Sequence, residues 1–192
     1  MIRLGITGGI GSGKSYICHV LQTCFDVPVY DCDANAARIM RSDSNVVERL
    51  RSLLDNLYAP NGELDKQRMA RYIFASDENA CNVNRIVHPA VQKDLQRWFA
   101  EQAVPVAAME SAILYESGFD VEVDKVIFVE APLALRIRRA MERDGATEEQ
   151  VCQRIARQNT DKVQHRADYR IVNDDIADIP SQLLEILKSL NY

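Results

Sequence analysis

Cysteine, glycine and proline are sparse in this chain of 192 residues. The five cysteines are an odd number and contain no C-x-x-C pair, so neither a disulfide framework nor a zinc ribbon is indicated. Eight glycines and six prolines are too few for a collagenous or low-complexity chain. No apolar run approaches the ~18 residues that a membrane-spanning helix needs. These absences predict a globular protein with free thiols.

An excess of positive charge is also missing. The chain has 23 basic and 28 acidic side chains, a net charge of −5, so it has no overall field that attracts nucleic acid or an anionic membrane. We therefore expect neither as a partner, and the sequence does not indicate protein partners. The chain opens with Arg3 and then glycines, where an export signal has an apolar segment, and this predicts a cytoplasmic location.

Strand-like and helix-like segments alternate along most of the chain. The patterns predict strands at 2–7, 27–30, 104–109, 123–129 and 169–172, and helices at 14–25, 34–40, 133–141, 147–158 and 179–190. Residues 44–103 differ, because their apolar side chains recur about every 3.6 residues, which indicates helices throughout. The sequence thus predicts a three-layer α/β domain with a parallel sheet, a helical insertion and a helical pair.

Glycines join the first strand to the first helix. Gly8-Gly9-Ile10-Gly11-Ser12-Gly13-Lys14-Ser15 matches the phosphate-loop pattern GxxxxGKS in the strand-loop-helix context that this motif requires. Such a loop directs backbone N–H groups at phosphate oxygens at a helix N-terminus. Lys14 adds a cation for the β- and γ-phosphates, and the Ser15 hydroxyl is a ligand for Mg²⁺. The motif therefore predicts binding of ATP with Mg²⁺.

The remaining pattern favours a small-molecule kinase over other nucleotide-binding classes. The DxxG and NKxD elements of a GTPase do not occur, and the strand 104–109 ends in Glu110 where a larger ATPase has a Walker B aspartate. Three alternatives stay open: a kinase of one specific acceptor, a nucleoside, nucleotide or shikimate-like kinase, and a non-catalytic nucleotide switch. The last is disfavoured because a pair of aspartates follows the second predicted strand.

Those aspartates, Asp31 and Asp33, are candidates for acceptor chemistry. In a doubly wound sheet, the carboxyl ends of the strands share the active-site edge, and a carboxylate there accepts the proton of an attacking hydroxyl. Asp33 is the better candidate base and Asp31 the better water-mediated metal partner. The alternative interpretation makes Asp33 only the N-cap of the following helix.

A lid is predicted at about 139–158. Arg136, Arg139 and Arg143 are three or four residues apart, so they share one helical face and can point together at a transferring phosphate. The alternative is a solvated, charged helix.

Together these residues resemble one family, the dephospho-CoA kinases. The resemblance rests on TGGIGSGKS at 7–15, DxD at 31–33, His88-Pro89, Leu114-Tyr115-Glu116, Arg139 with Arg143-Asp144, and Val172-Asn173. It implies phosphorylation of the 3′-hydroxyl of the ribose of dephospho-CoA by ATP, which gives CoA and ADP in the last step of coenzyme A synthesis. It also implies a P-loop kinase fold, with a nucleotide-binding core at 1–43 and 104–192 and a helical acceptor subdomain at 44–103.

The resemblance assigns roles to individual residues. Asp33 corresponds to the proposed general base, and Arg139 and Arg143 to the lid cations that act on the transferring group. His88 and Leu114 lie in segments that would line the acceptor pocket. Residues expected to bind ATP are Gly11, Ser12, Gly13, Lys14, Ser15, Tyr16 and, beside the nucleotide base, Asn173.

Overall fold

The structure, a computed structural model, describes residues 1–158 and 163–191 and has an α/β architecture. The strands are β1 (Ile2–Gly8), β2 (Val29–Asp31), β3 (Val106–Glu110), β4 (Lys125–Glu130) and β5 (Tyr169–Val172). The helices are α1 (Lys14–Phe25), α2 (Cys32–Ser42), α3 (Ser44–Leu53), α4 (Lys66–Ala75), α5 (Asp77–Ala100), α6 (Leu133–Asp144), α7 (Glu148–Ala156) and α8 (Ile179–Ser189). Every strand and helix predicted from the sequence has a counterpart, with ends displaced by a few residues.

The strands form one sheet in the order β2-β3-β1-β4-β5. The pairs β1–β3, β1–β4 and β4–β5 are parallel, and Ile6 of the central strand β1 lies opposite both Glu110 and Ile127. Their apolar runs are buried because helices cover a parallel sheet on both faces. The predicted α/β fold with a parallel sheet is confirmed.

The chain divides into two compact units. One comprises Met1–Tyr30 and the chain from Glu101 onward, and the other is Asp31–Ala100. The predicted boundary lay after residue 43, so the structure groups α2 with the helical unit and not with the sheet. The reason is packing, because α2 makes its contacts with α3 and α5.

The helical unit is built around α5. This helix contains Pro89 and packs against α2, α3 and α4. Asp43 and Asp65 begin α3 and α4 as N-caps, each accepting a hydrogen bond from a backbone N–H three residues on. Buried side chains of this unit include Ile39, Val46, Leu50, Leu57, Met69, Val83, Val87, Val91, Leu95 and Phe99.

In the sheet unit, α6 and α7 form a helical hairpin. Gly145 ends α6 in the left-handed conformation with φ of 63°, which glycine adopts without strain. Thr147 and Gln150 then form the capping box that the sequence predicted for α7. Among residues 1–158 and 163–191, no helix is both long and apolar enough to cross a bilayer.

Candidate active site

The phosphate loop runs from the end of β1 to the start of α1. Gly11 and Gly13 have φ of 74° and 88°, values that side-chain-bearing residues rarely adopt. Backbone hydrogen bonds from Ser12 N to Gly9 O (3.1 Å) and from Tyr16 N to Gly13 O (3.0 Å) hold the turn. Gly13 is the N-cap of α1 and carries no side-chain cap. The loop therefore presents the N-terminus of a twelve-residue helix to an anion.

Lys14 lies folded back over this loop. Its Nζ donates to Gly8 O at 3.1 Å and to Gly9 O at 3.4 Å, and lies 3.8 Å from Glu110 Oε1. The side chains of Lys14 and Glu110 are only 11% and 10% exposed. Glu110 is a site residue to which sequence reasoning gave no role, although an acid at the end of a buried strand is a visible signal.

The hydroxyl of Ser12 is a buried polar group within the phosphate loop. Its residue is 1% exposed, and its Oγ is buried with no hydrogen-bond partner in the part of the chain that the structure describes. A buried hydroxyl without a partner costs about 1–3 kcal/mol, so such groups mark places where a ligand or water belongs. A phosphate oxygen in the loop is a fitting partner.

Asn173 fastens the loop to the end of β5. Its Nδ2 donates to Ser12 O at 2.9 Å, and its Oδ1 accepts from Arg139 Nη2 at 3.2 Å. Arg139 also donates to the carbonyl of Asn173 at 3.2 Å and forms an ion pair with Asp175. The side chain predicted to lie beside the nucleotide base is thus buried and links loop, lid and β5.

A cavity of about 510 Å³ opens beside this group. It is lined by Gly13, Tyr16, Arg139, Asn173, Asp175 and the start of α8. The aromatic ring of Tyr16 is half exposed there. The position next to the N-terminus of α1 suits the nucleoside part of a nucleotide whose phosphates lie in the loop.

Replacement of Asn173 tests this link. Asn173→Ala removes the hydrogen bonds to Ser12 and Arg139, and we expect it to destabilise the protein by about 1–3 kcal/mol. For a chain of this size that corresponds to a fall of about 2–10 °C in the thermal unfolding midpoint. Asn84→Ala, at an exposed position on α5, is the matched control and should leave the midpoint unchanged. Equal midpoints for the two variants would contradict the proposed link.

The three arginines of α6 were expected to point together, and the structure gives them different partners. Arg136 Nε donates to Ile10 O at 3.0 Å, Arg139 binds Asn173 and Asp175, and Arg143 binds Asp144. The predicted helical spacing is confirmed, but each arginine binds acceptors in a different segment of the chain, so the three side chains do not point together.

Arg143 belongs to a charged cluster at the lid hairpin. It donates to both carboxylate oxygens of Asp144, at 2.7 and 3.0 Å, and Arg154 donates to the same carboxylate at 2.6 Å. The hydrogen bonds from these two arginines hold the pKa of Asp144 well below its usual range. The bond to Asp144 raises the pKa of Arg143, and the charge of Glu110 adds to that rise. The negative charge of Glu110 therefore acts on Arg143 as well as on Lys14.

In the helical unit, the capping interpretation of Asp33 is wrong. Asp31 is the N-cap of α2, with its Oδ1 accepting from Ala34 N at 2.8 Å. Asp33 is an exposed acid in the first turn. The helix begins two residues earlier than predicted because Asp31 satisfies the first N–H groups.

The two residues predicted to line the acceptor pocket have different environments. His88 is half-buried on α5, and burial lowers its pKa. Leu114 is fully buried in the sheet unit, where its side chain lies against Gly5 of β1. Leu114 therefore contributes to the core and not to an open surface.

A metal ion would find few protein ligands here. Ser15 is exposed at the start of α1, and no cluster of three or more His, Cys, Asp or Glu side chains in residues 1–158 and 163–191 has metal-ligand spacing. This donor set fits Mg²⁺, which usually keeps several waters and takes ligands from substrate phosphates.

Known proteins resemble this chain over nearly its whole length. A sequence profile of the dephospho-CoA kinases matches residues 2–178. A dephospho-CoA kinase of Bacteroides fragilis is 41% identical over 191 residues, which cover 98% of this chain and 93% of that protein. One from Porphyromonas gingivalis is 38% identical over 192 residues, covering 99% and 95%.

Solved structures agree in fold. A Thermus thermophilus crystal structure superposes with a TM-score of 0.86 at 31% identity, covering 98% of this chain and 96% of that one. A dephospho-CoA kinase from Campylobacter jejuni has a TM-score of 0.69 at 21% identity, covering 98% and 96%. A shikimate kinase from Aquifex aeolicus, with a TM-score of 0.56 at 16% identity and coverage of 99% and 96%, shares the fold alone.

Proposed function

The chain belongs to the dephospho-CoA kinase family, and we propose that it uses ATP to phosphorylate the 3′-hydroxyl of the ribose of dephospho-CoA, giving CoA and ADP. The observation that carries this proposal is the 41% identity to a dephospho-CoA kinase over 98% of the chain. The phosphate loop, whose buried Ser12 hydroxyl has no hydrogen-bond partner among the described residues, supplies the matching chemistry for ATP. The reaction places the enzyme at the last step of coenzyme A biosynthesis.

We propose that residues 11–16 bind the phosphates of ATP. The backbone N–H groups at the start of α1 and the buried Ser12 hydroxyl donate to phosphate oxygens. Lys14 exchanges the carbonyls of Gly8 and Gly9 for the β- and γ-phosphates, with Glu110 holding its ammonium near the loop. The backbone N–H of Tyr16 serves the α-phosphate, and Asn173 supports the loop from behind.

The Ser15 hydroxyl would hold Mg²⁺, with Asp31 as a water-mediated partner. When bound, the ion neutralises phosphate charge and fixes the phosphate chain in place. These assignments are proposals supported by the oxygen donors present and by the phosphate-loop motif.

We propose Asp33 as the general base. As the acceptor 3′-oxygen forms its bond to the γ-phosphorus and the bond to ADP breaks, the hydroxyl proton passes to the Asp33 carboxylate. The support is the DxD motif after β2 and the capping of α2 by Asp31, which leaves Asp33 out of that role.

The two lid arginines are proposed to divide their work. Arg143, which the charge of Glu110 stabilises in its protonated form, stabilises the charge of the transferring phosphoryl group. Arg139 lies at the opposite end of the loop, between Asn173 and Asp175, and borders the cavity assigned to the nucleoside. Planar guanidinium groups suit both tasks.

The acceptor is proposed to bind through the helical unit, which contains His88 on α5. We also propose that the enzyme acts in the cytoplasm, where its five cysteines, all free thiols, are chemically compatible with a reducing compartment.

An acceptor assay tests the proposed function. The protein is incubated with ATP and Mg²⁺ and with dephospho-CoA, adenosine, AMP or shikimate as acceptor, and ADP and phosphorylated product are measured. We expect CoA formation from dephospho-CoA, with kcat/KM at least about 100-fold higher than for the other acceptors, because a site built to bind a whole substrate rejects analogues that leave its polar groups unpaired. Preference for another acceptor, or no turnover beside an active reference enzyme, would contradict the proposal.

A further inference from the structure

The two peptide groups that flank Ile10, at the tip of the phosphate loop, are each held by a side chain from a distant segment. The N–H of Ile10 donates to Gln158 Oε1 at 2.7 Å, and its carbonyl accepts from Arg136 Nε at 3.0 Å. Both partners are half-buried and come from more than 120 positions along the chain. In the phosphate-loop pattern, Ile10 is a variable position, so the motif itself assigns no partner to it.

The neighbouring glycines show how closely α6 approaches this tip. A Cβ on Gly9 would lie 2.0 Å from Arg136 Nη2, and a Cβ on Gly11 would lie 2.1 Å from the carbonyl oxygen of Arg136. At Gly11 the contact is with helix backbone, which leaves no room for a side chain, whereas at Gly9 it is with the end of the flexible Arg136 side chain, which would have to shift. The phosphate loop and α6 are therefore in close contact on both sides of Ile10.

Gln158 connects the end of the α6–α7 hairpin to Ile10 in the phosphate loop. It follows α7, and its backbone N–H donates to Ile155 O at 3.0 Å, which continues the turn of that helix. Arg154 on α7 is joined to α6 through Asp144. The hydrogen bond from Ile10 N–H therefore connects the segment after α7 to the Gly9–Ile10 peptide of the loop.

We propose that Gln158 is a positioning residue of the phosphate loop. By accepting from Ile10 N–H, it fixes the orientation of the Gly9–Ile10 peptide at the tip of the loop, so that the N–H groups that follow converge on phosphate. Its hydrogen bond also couples the order of the loop to the position of the lid. The inference rests on the proposed function only in naming ATP as the ligand, because the hydrogen bond itself belongs to the protein without ligand.

Gln158→Met tests this, because it keeps the length of the side chain and removes the accepting oxygen. Loss of one such hydrogen bond should raise the KM for ATP about 3- to 10-fold and leave the KM for dephospho-CoA within about twofold. The matched control is Gln153→Met, an exposed glutamine on α7 whose recorded partner is Glu149. It should alter neither constant.

Amide hydrogen exchange of Ile10 gives a second readout that needs no activity. In the ligand-free protein, Gln158→Met should speed exchange at Ile10 about tenfold. Gln158→Glu retains an accepting oxygen and should keep the amide protected, and this variant serves as well if Gln158→Met folds poorly. Unchanged Ile10 exchange in Gln158→Met, or an unchanged KM for ATP, would overturn the inference. A wild-type protein that makes no CoA would instead overturn the proposed function and leave the exchange result standing.

Discussion

Asp33→Asn is expected to lower kcat about 100- to 10,000-fold while ATP still binds, because an amide accepts no proton from the acceptor hydroxyl. Asparagine has nearly the same shape, and the N-cap of α2 is supplied by Asp31, so the helix should remain intact. The rate is measured as CoA formation at saturating ATP and dephospho-CoA. ATP affinity is measured separately by calorimetry.

Asp77→Asn is the matched control, since Asp77 is also an acid in the first turn of a helix, α5. Both changes remove one favourable charge from a helix N-terminus, an effect of about 0.3–1 kcal/mol on stability. Only Asp33→Asn should affect turnover. Unchanged kcat in Asp33→Asn would remove Asp33 from the role of base.

Arg143→Met should lower kcat about 100- to 1,000-fold if Arg143 stabilises the charge that develops during phosphoryl transfer, as we propose. Arg139→Met should act differently and mainly raise the KM for ATP, because its partners lie at the Asn173 end of the loop. Steady-state kinetics of the two variants separates the roles. A large fall in kcat for Arg139→Met with a small one for Arg143→Met would reverse the assignment.

Arg138→Met is the control for this pair. Arg138 is on the same helix, is 62% exposed in its side chain and forms a surface ion pair with Asp175. Exposed ion pairs contribute about 0–1 kcal/mol, so this variant should retain its stability and turnover. Arg143→Met should also fold, since Arg154 still pairs with Asp144.

Local patterns were interpreted with good success. Strand-forming runs, the glycine loop and the capping box of Thr147 and Gln150 all have the predicted structures. Each depends on residues within about four positions of one another, whose interactions follow from helix and turn geometry alone. The N-cap of α2 is Asp31 and not Asp33, the residue considered from the sequence. Both residues have a suitable carboxylate, and sequence spacing does not distinguish between them.

Contacts between distant segments account for what was missed. These contacts are the buried Lys14–Glu110 ion pair and the hydrogen bonds from Asn173 to Ser12 and from Ile10 to Gln158. Each joins residues about 100 to 160 positions apart along the chain. The burial of Leu114, whose segment was expected to line the acceptor pocket, is of the same kind, because the loop after β3 places its side chain against β1. The spacing of apolar residues along the sequence does not predict contacts between such distant segments.

The sequence by itself therefore determined the elements, the phosphate-binding chemistry and the family of this protein, since these depend on local spacing and on motif residues. Only the tertiary structure decided which side chains meet. It gave Arg136, Arg139 and Arg143 different partners, buried the Ser12 hydroxyl with no hydrogen-bond partner among residues 1–158 and 163–191, and grouped α2 with the helical unit. The physical reason is that such contacts arise when buried surfaces pack in three dimensions, and donors then bind the acceptors that packing brings within reach.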